Sequence, residues 1–148
     1  MGAISSAFIT GATGFIGRYV ARNLLTQGYT VHALVRPASR KSRAAIILDL
    51  SDHAAQSEGI LNIVEGDLTQ EGLALSDTDL KLITDTSHAF HLAALYDLEA
   101  SPKDLDLANI AGTQNLCNCL TKAQYIGRLH HVSSIAVAGD YSGTYTES

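Results

Sequence analysis

Apolar residues along this chain fall into two rhythms: short unbroken runs, and longer stretches with an apolar residue at every third or fourth place. The first run, Ala7 to Thr10, is a buried strand, and it turns directly into an amphipathic helix from Phe15 to Gln27. Gly28 stops that helix, and Tyr29-Thr30-Val31-His32-Ala33-Leu34-Val35 is a second buried strand ended by Arg36-Pro37. A polar, basic stretch from Ser39 to Arg43 leads into a helix over Ala44 to Leu50, whose end Asp49, Ser51 and Asp52 leave open. Leu61 to Glu65 is a short strand closed by Gly66-Asp67, Ser76 N-caps a short helix reaching Ile83, and His88 to Leu92 is strand four. Asp104 to Ala123 is the clearest helix, with Leu105, Ala108, Gly112, Leu116, Leu120 and Ala123 on one stripe, and Arg128 to Val132 is strand five.

Strands that alternate with helices, without an internal repeat or linker, predict an α/β chain: a Rossmann-type doubly wound parallel sheet with helices on both faces. Between the first strand and the first helix stands Thr10-Gly11-Ala12-Thr13-Gly14-Phe15-Ile16-Gly17. Gly11 permits the tight turn, Gly14 lets a pyrophosphate approach the backbone, and Gly17 lets the helix lie close on the strand. Free N–H groups and the positive end of the helix dipole favour an anion there. The same spacing fits an ordinary strand-turn-helix connection. The context makes Gly11, Thr13, Gly14, Phe15, Ile16 and Gly17 candidate phosphate-loop residues.

The chain has 148 residues, the length of one domain, which buries roughly two thirds of its unfolded surface. A net charge of -5 with ten Lys and Arg argues against a nucleic-acid or anionic-membrane partner, both of which need a basic face. A small-molecule ligand is the expectation. Met1 to Ile9 has neither a basic n-region nor a long apolar h-region, and no apolar run has the length of a membrane span, so the expected location is the cytoplasm. Cys117 and Cys119 lack a zinc or redox spacing and read as small buried or half-buried thiols. His130 and His131 point to opposite faces of a strand, and neither has a ligand spacing to His88 or His91, so no metal site is expected.

Four further segments, Gly66-Asp67-Leu68, His91-Leu92-Ala93-Ala94, Asn109-Ile110-Ala111-Gly112-Thr113 and His131-Val132-Ser133-Ser134, follow the glycine motif in order. With them the chain resembles the extended short-chain dehydrogenases/reductases, an epimerase/dehydratase-like family, over nearly its whole length. Residues 90–97 and the tail from Val132 to Glu147 are most similar to its NADPH-dependent and thioester-reductase-like members. The resemblance implies that Asp67 accepts from the adenine amino group, although a helix cap or turn acid is the other reading of that residue. It implies that Leu68 walls the adenine and that Ala93 and Ala94 let the chain pass close to the nicotinamide ribose. Asn109, beside the buried stripe, is placed to hold backbone groups across the sheet. A surface helix asparagine is the other reading, and the resemblance implies that Asn109 belongs to the scaffold of the site.

NAD-preferring sites carry an acid at the end of the second strand, where this chain has Val35 and Arg36. Arg36 offers a planar fork for a 2′-phosphate, with Arg40 and Lys41 in loop reach, so the expected cofactor is NADP, with NAD as the alternative. The basic run also reads as a solvated helix start. For catalysis, the resemblance implies that Ser134 polarises a substrate carbonyl, with Ser133 nearer the cofactor; by themselves they read as two serines ending a strand. The family's Tyr-x-x-x-Lys pair has no match: Tyr141 has Tyr145 four residues on, and no lysine follows Lys122. Residues 1–148 are thus expected to be the N-terminal part of an NAD(P)-binding Rossmann domain truncated after about the fifth strand, with the substrate-binding C-terminal region absent. Tyr141 and Tyr145 are expected in loops near the substrate mouth. Three functions follow: the cofactor-binding part of an oxidoreductase acting on a small-molecule carbonyl or thioester, a non-catalytic dinucleotide sensor, or an interaction fragment. The resemblance implies that the full-length parent could form a homodimer through a long helix pair, of which 104–123 is the part present.

Overall fold

The computed structural model describes residues 5–97 and 99–146. Glu147, the last residue of the tail singled out above, lies outside them. Five strands, β1 (Ser6–Thr10), β2 (Thr30–Val35), β3 (Ile60–Glu65), β4 (His88–His91) and β5 (Arg128–His131), form one all-parallel sheet in the order β3-β2-β1-β4-β5. The chain winds left from β1 to β3 and then crosses to β4, so β1 and β4 are neighbours whose connections leave in opposite directions. That is the switch point of a doubly wound sheet, where ligands sit at the strand C-terminal ends.

A parallel sheet covered on both faces needs apolar residues in consecutive positions, which is why β1 and β2 read as runs. Ala7, Phe8, Ile9 and Thr10 are all fully buried. Ala7 and Ile9, in register with Val31 and Ala33 of β2, face one core with Ala21, Leu24 and Leu25 of α1 (Phe15–Thr26). Phe8 points the other way and packs with Leu34, Val64, Ala89 and Leu116. Helices α2 (Pro37–Arg40) and α3 (Ala44–Ala55) follow β2, and Leu50 of α3 joins the first core. Helix α4 (Asp77–Thr84), which supplies Ile83, covers the second core together with the long C-terminal helix.

Two helices differ from the sequence expectation. Helix α3 runs on to Ala55, because Asp49, Ser51 and Asp52 face solvent while Leu50 is buried and Ile46 and Ala54 pack on the core. The long helix starts earlier, at α5 (Pro102–Leu105), where Ser101 caps Asp104 N–H at 3.2 Å. It then passes through a π turn (Asp106–Ala111) into α6 (Gly112–Lys122). The stripe holds from Gly112 onward, through Leu116 and Leu120, whereas Leu105 and Ala108 on the other side of the π turn are only half-buried. Among the described residues no helix is long and apolar enough to cross a membrane. Cys119 is buried and Cys117 half-buried. Strand β5 is the sheet edge on its side, and Leu129 and Val132 stay partly exposed there.

Helix α1 lies against the β1 exit at backbone distance. A Cβ at Gly17 would stand 1.9 Å from Gly11 O and 2.7 Å from its carbonyl carbon. Alanine at a helical glycine ordinarily gains up to about 1 kcal/mol, but here the methyl has no space. We expect Gly17→Ala to destabilise the chain by about 1–3 kcal/mol, the usual size of core overpacking. Urea unfolding measures it, and an unchanged or raised midpoint would contradict the close approach.

Candidate functional site

The loop after β1 is shaped by two backbone constraints. Gly11 has φ +77°, and a Cβ there would meet Ala93 N at 2.6 Å and Leu92 C at 2.8 Å, so only glycine lets this turn pass the β4 exit. Gly14 N–H then closes the turn on Gly11 O at 2.9 Å. Helix α1 begins immediately, and its first intrahelical bond runs from Arg18 N–H to Gly14 O at 3.2 Å. The N–H groups of Phe15, Ile16 and Gly17 precede that bond and have no partner within the helix. Gly14 supplies no capping side chain, and no acid stands in the first turn. By contrast, Ser76 and Ser101 cap their own helices. The positive end of α1 is left for an outside anion.

This helix end opens on a cleft of about 250 Å³ across the C-terminal ends of β1 to β4. Of the residues singled out in the sequence, Gly11, Thr13, Gly14, Arg36, Asp67, Leu68, Ala93 and Ala94 line it together. Phe15 and Ile16 turn their side chains to solvent, 75% and 53% exposed, so only their backbone belongs to the loop. Gly17 sits beneath the turn as a packing residue. Arg40 is drawn away from the cleft by an ion pair with Glu65 at the end of β3, and the second cation on the cleft wall is Arg43, with Ser39 beside it. Ser133 and Ser134 follow β5 and do not line the cleft. Ser134 Oγ accepts Ala136 N–H at 3.2 Å and caps the 3₁₀ turn Ile135–Ala138. Tyr141 and Tyr145 are exposed, pack edge to face at 6.3 Å, and stand outside the cleft lining.

Asp67 combines its two readings. Oδ1 accepts from the backbone N–H and the hydroxyl of Thr69, both at 2.9 Å, which makes it a turn acid, while Oδ2 takes no part in that turn. The long C-terminal helix anchors two exit loops. Asn109, in the π turn, accepts Leu95 N–H at 2.7 Å and donates to Leu95 O at 3.0 Å, fixing the loop after β4. Asn115 of α6 donates to Leu68 O at 2.8 Å and fixes the loop after β3. Sequence reasoning missed Asn115, Ser39 and Arg43; the signal for Asn115 was a polar residue one position before the buried Leu116. Two guanidinium groups, Arg36 and Arg43, and one carboxylate, Asp67, are the charged groups among the described residues lining the cleft, and Leu34, Leu68, Leu92 and Leu95 are its large apolar ones.

An NAD-binding family model described as male sterility protein matches residues 9–148. The bifunctional dihydroflavonol 4-reductase/flavanone 4-reductase of Malus domestica is 31% identical over 131 residues, covering 87% of this chain and 35% of its own. The terminal R domain of the myxalamid PKS-NRPS biosynthetic pathway superposes with a TM-score of 0.73 at 26% identity, over 93% of this chain and 36% of that one. Gre2 of Candida albicans, solved in complex with NADPH, has a TM-score of 0.69 at 25% identity, over 89% and 38% of the two chains. The chain spans about a third of the length of the curated relatives it matches.

Two buried histidines make stability depend on pH. Burial first, and the neighbouring His131 second, hold the His91 imidazole down to about 4 from an ordinary 6.5. Burial also lowers His32, against an opposing pull from Asp79, and His32 Nδ1 has no hydrogen-bond partner. Below pH 6.5 the His91 ring stays neutral in the folded chain and takes a proton on unfolding, and His32 is shifted in the same direction. Between pH 6.5 and about 4 the unfolded state therefore binds more protons, and stability rises with pH across that window. We expect urea midpoints to be steady above the window and to fall through it, with a shallower fall in His91→Gln. A flat profile in the unsubstituted chain would contradict the neutral buried rings.

Proposed function

Because the chain belongs to the extended short-chain dehydrogenase/reductase family, we propose that the cleft holds NADP(H) and that the chain is the N-terminal, cofactor-binding part of a longer reductase. The reductase acts on a small-molecule carbonyl or a thioester-derived carbonyl. The observation that carries this reading is the uncapped N-terminus of α1 opening on a cleft whose second-strand side presents Arg36 and Arg43 and, among the described residues, no carboxylate. The pyrophosphate would take the N–H groups of the Gly11–Gly17 turn. Arg36 and Arg43 would pair with a 2′-phosphate, for which guanidinium forks are suited. Oδ2 of Asp67 is the acceptor for the adenine amino group, Leu68 its apolar wall, and Ala93 and Ala94 keep room for the nicotinamide ribose.

When bound, the dinucleotide supplies the hydride. What this chain's own residues add to the chemistry is Ser134, with Ser133 beside it. A hydroxyl has one proton to donate, and Ser134 Oγ accepts from Ala136, so its O–H remains available to a substrate carbonyl. The proton donor lies in the part of the family's length that this chain does not span. A non-catalytic dinucleotide-sensing module is the second reading, since the groups that line the cleft are those that would hold the phosphates and the adenine.

We expect fluorescence titration to show tighter binding of NADPH than of NADH. Arg36→Ala and Arg43→Ala should each weaken NADPH by about tenfold or more, as for a hydrogen bond to a charged group, while Arg40→Ala, whose partner is Glu65, leaves the preference in place. Equal affinities, or tighter NADH, would overturn the NADP assignment. Gly14→Val should abolish binding by filling the volume the pyrophosphate needs. Unchanged affinity in a folded Gly14→Val variant would remove the phosphate loop. The 148-residue chain alone should bind NADPH weakly and oxidise none with aldehydes or acyl thioesters, so Ser134→Ala is silent in it and costly in the longer parent. Turnover by the short chain, lost on Ser134→Ala, would point to Tyr141 or Tyr145 as the donor.

A further inference from the structure

Two threonines far apart in sequence reach the same imidazole. Thr113, in the first turn of α6, donates its one hydroxyl proton to Asn109 O at 2.7 Å. Toward His91 Nε2, 2.9 Å away, Thr113 Oγ1 can therefore only accept. His91 must carry its proton on Nε2, which leaves Nδ1 as the acceptor for the Thr10 hydroxyl at 2.7 Å. Thr10 Oγ1 accepts in turn from Ala93 N–H at 3.4 Å. All protons in this chain of bonds point one way, from the backbone of Ala93 to that of Asn109. The Asn109 side chain then grips both backbone groups of Leu95.

The ring is 2% exposed, stacks on His131 at 5.2 Å, and does not line the cleft, whereas Ala93 and Leu95 do. Histidine is suited to the position by its shape. A neutral imidazole presents an acceptor and a donor on opposite edges of one rigid plane, so it serves β1 and α6 together. Asparagine would reach only the Thr10 side and glutamine only the Thr113 side.

We propose that His91 is a positioning residue for the dinucleotide, an inference that rests on the cofactor reading above: locked as the neutral Nε2–H tautomer, it fixes the backbone from Ala93 to Leu95 and so sets the wall against which the nicotinamide half lies. It acts through Thr10, Thr113 and Asn109 and does not touch the ligand.

Heteronuclear NMR of the imidazole nitrogens in the full 148-residue chain reads the tautomer without any ligand. The expected state at neutral pH has Nε2 protonated and Nδ1 bare. Thr113→Val should abolish that preference and speed amide exchange at Leu95 by about fivefold to tenfold, the scale of one net hydrogen bond, and Thr113→Ser should restore both. Thr113 is half-buried where His91 is buried, so the Thr113 variants are expected to be the milder change and keep the test open if His91→Asn does not fold. Titration then compares NADPH with adenosine 2′,5′-bisphosphate, which lacks the nicotinamide half. Thr113→Val and His91→Asn should weaken NADPH by about tenfold and leave the bisphosphate unchanged. An Nδ1–H tautomer, a Thr113→Val chain with unaltered Leu95 exchange, or an equal loss of both ligands would overturn the proposal. Binding of neither ligand by the unsubstituted chain would instead sink the cofactor reading, a result that the tautomer and exchange measurements do not share.

Discussion

The contact that the rest of this structure depends on is the backbone approach of α1 to the β1 exit. Gly17 has no side chain where a Cβ would collide with Gly11 O, and Gly11 has none where a Cβ would collide with Ala93. Three backbone segments therefore meet without an intervening side-chain layer: the end of β1, the start of α1 and the exit of β4. This brings the uncapped helix terminus to the switch point of the sheet. Larger residues at either glycine would hold the helix off by a side chain's width and move its N–H groups away from the cleft. The apolar cores on the two faces supply stability, but these two empty positions decide where the anion-seeking end of α1 points.

The opposite wall is set by polar contacts. Asn109 and Asn115 each tie an exit loop to the long C-terminal helix, one after β4 and one after β3. They stand on either side of the change from π to α winding. The π turn shifts the helical register, which lets Asn109 face the β4 loop while Leu116 and Leu120 stay in the core. A helix of uniform winding keeps one stripe in one direction. Here the same helix packs Leu116 and Leu120 of α6 in the core and still reaches both exit loops, from the π turn with Asn109 and from α6 with Asn115.

How much of this was legible in the sequence follows from the range of the interactions concerned. The runs of β1 and β2, the glycine turn, the Ser76 cap and the stripe from Gly112 to Leu120 are local patterns, and the residues at Arg36, Asp67, Leu68, Ala93 and Ala94 converge on one cleft. Features set by distant partners were not legible. Arg40 and Arg43 look equivalent in the sequence, but α2 turns Arg40 toward Glu65, which β3 brings alongside only in the folded sheet. The acids at Asp49 and Asp52 leave the end of α3 open in the sequence because a sequence does not say which face of a helix is wet. The π turn carries no composition signal, and its mark is a stripe that loses burial before Gly112. Asp67 resists assignment for a different reason: one oxygen closes the Asp67–Thr69 turn and leaves the other out of it, so a turn acid and a ligand acid share one carboxylate.

The close passage of Gly11 beside Ala93 also bears on the order in which the molecule assembles. β1, its turn and α1 are contiguous, so their contacts close small loops and can form early. The pairing of β1 with β4 is another matter: the bond from Ala93 to Thr10 spans 83 residues, and the entropy of closing so long a loop must be met before that contact gives anything back. The contact of Gly11 with Ala93 is completed only with that long closure. The cleft is thus expected to form late in folding, and a ligand that selects the finished turn draws on the stability of the whole sheet.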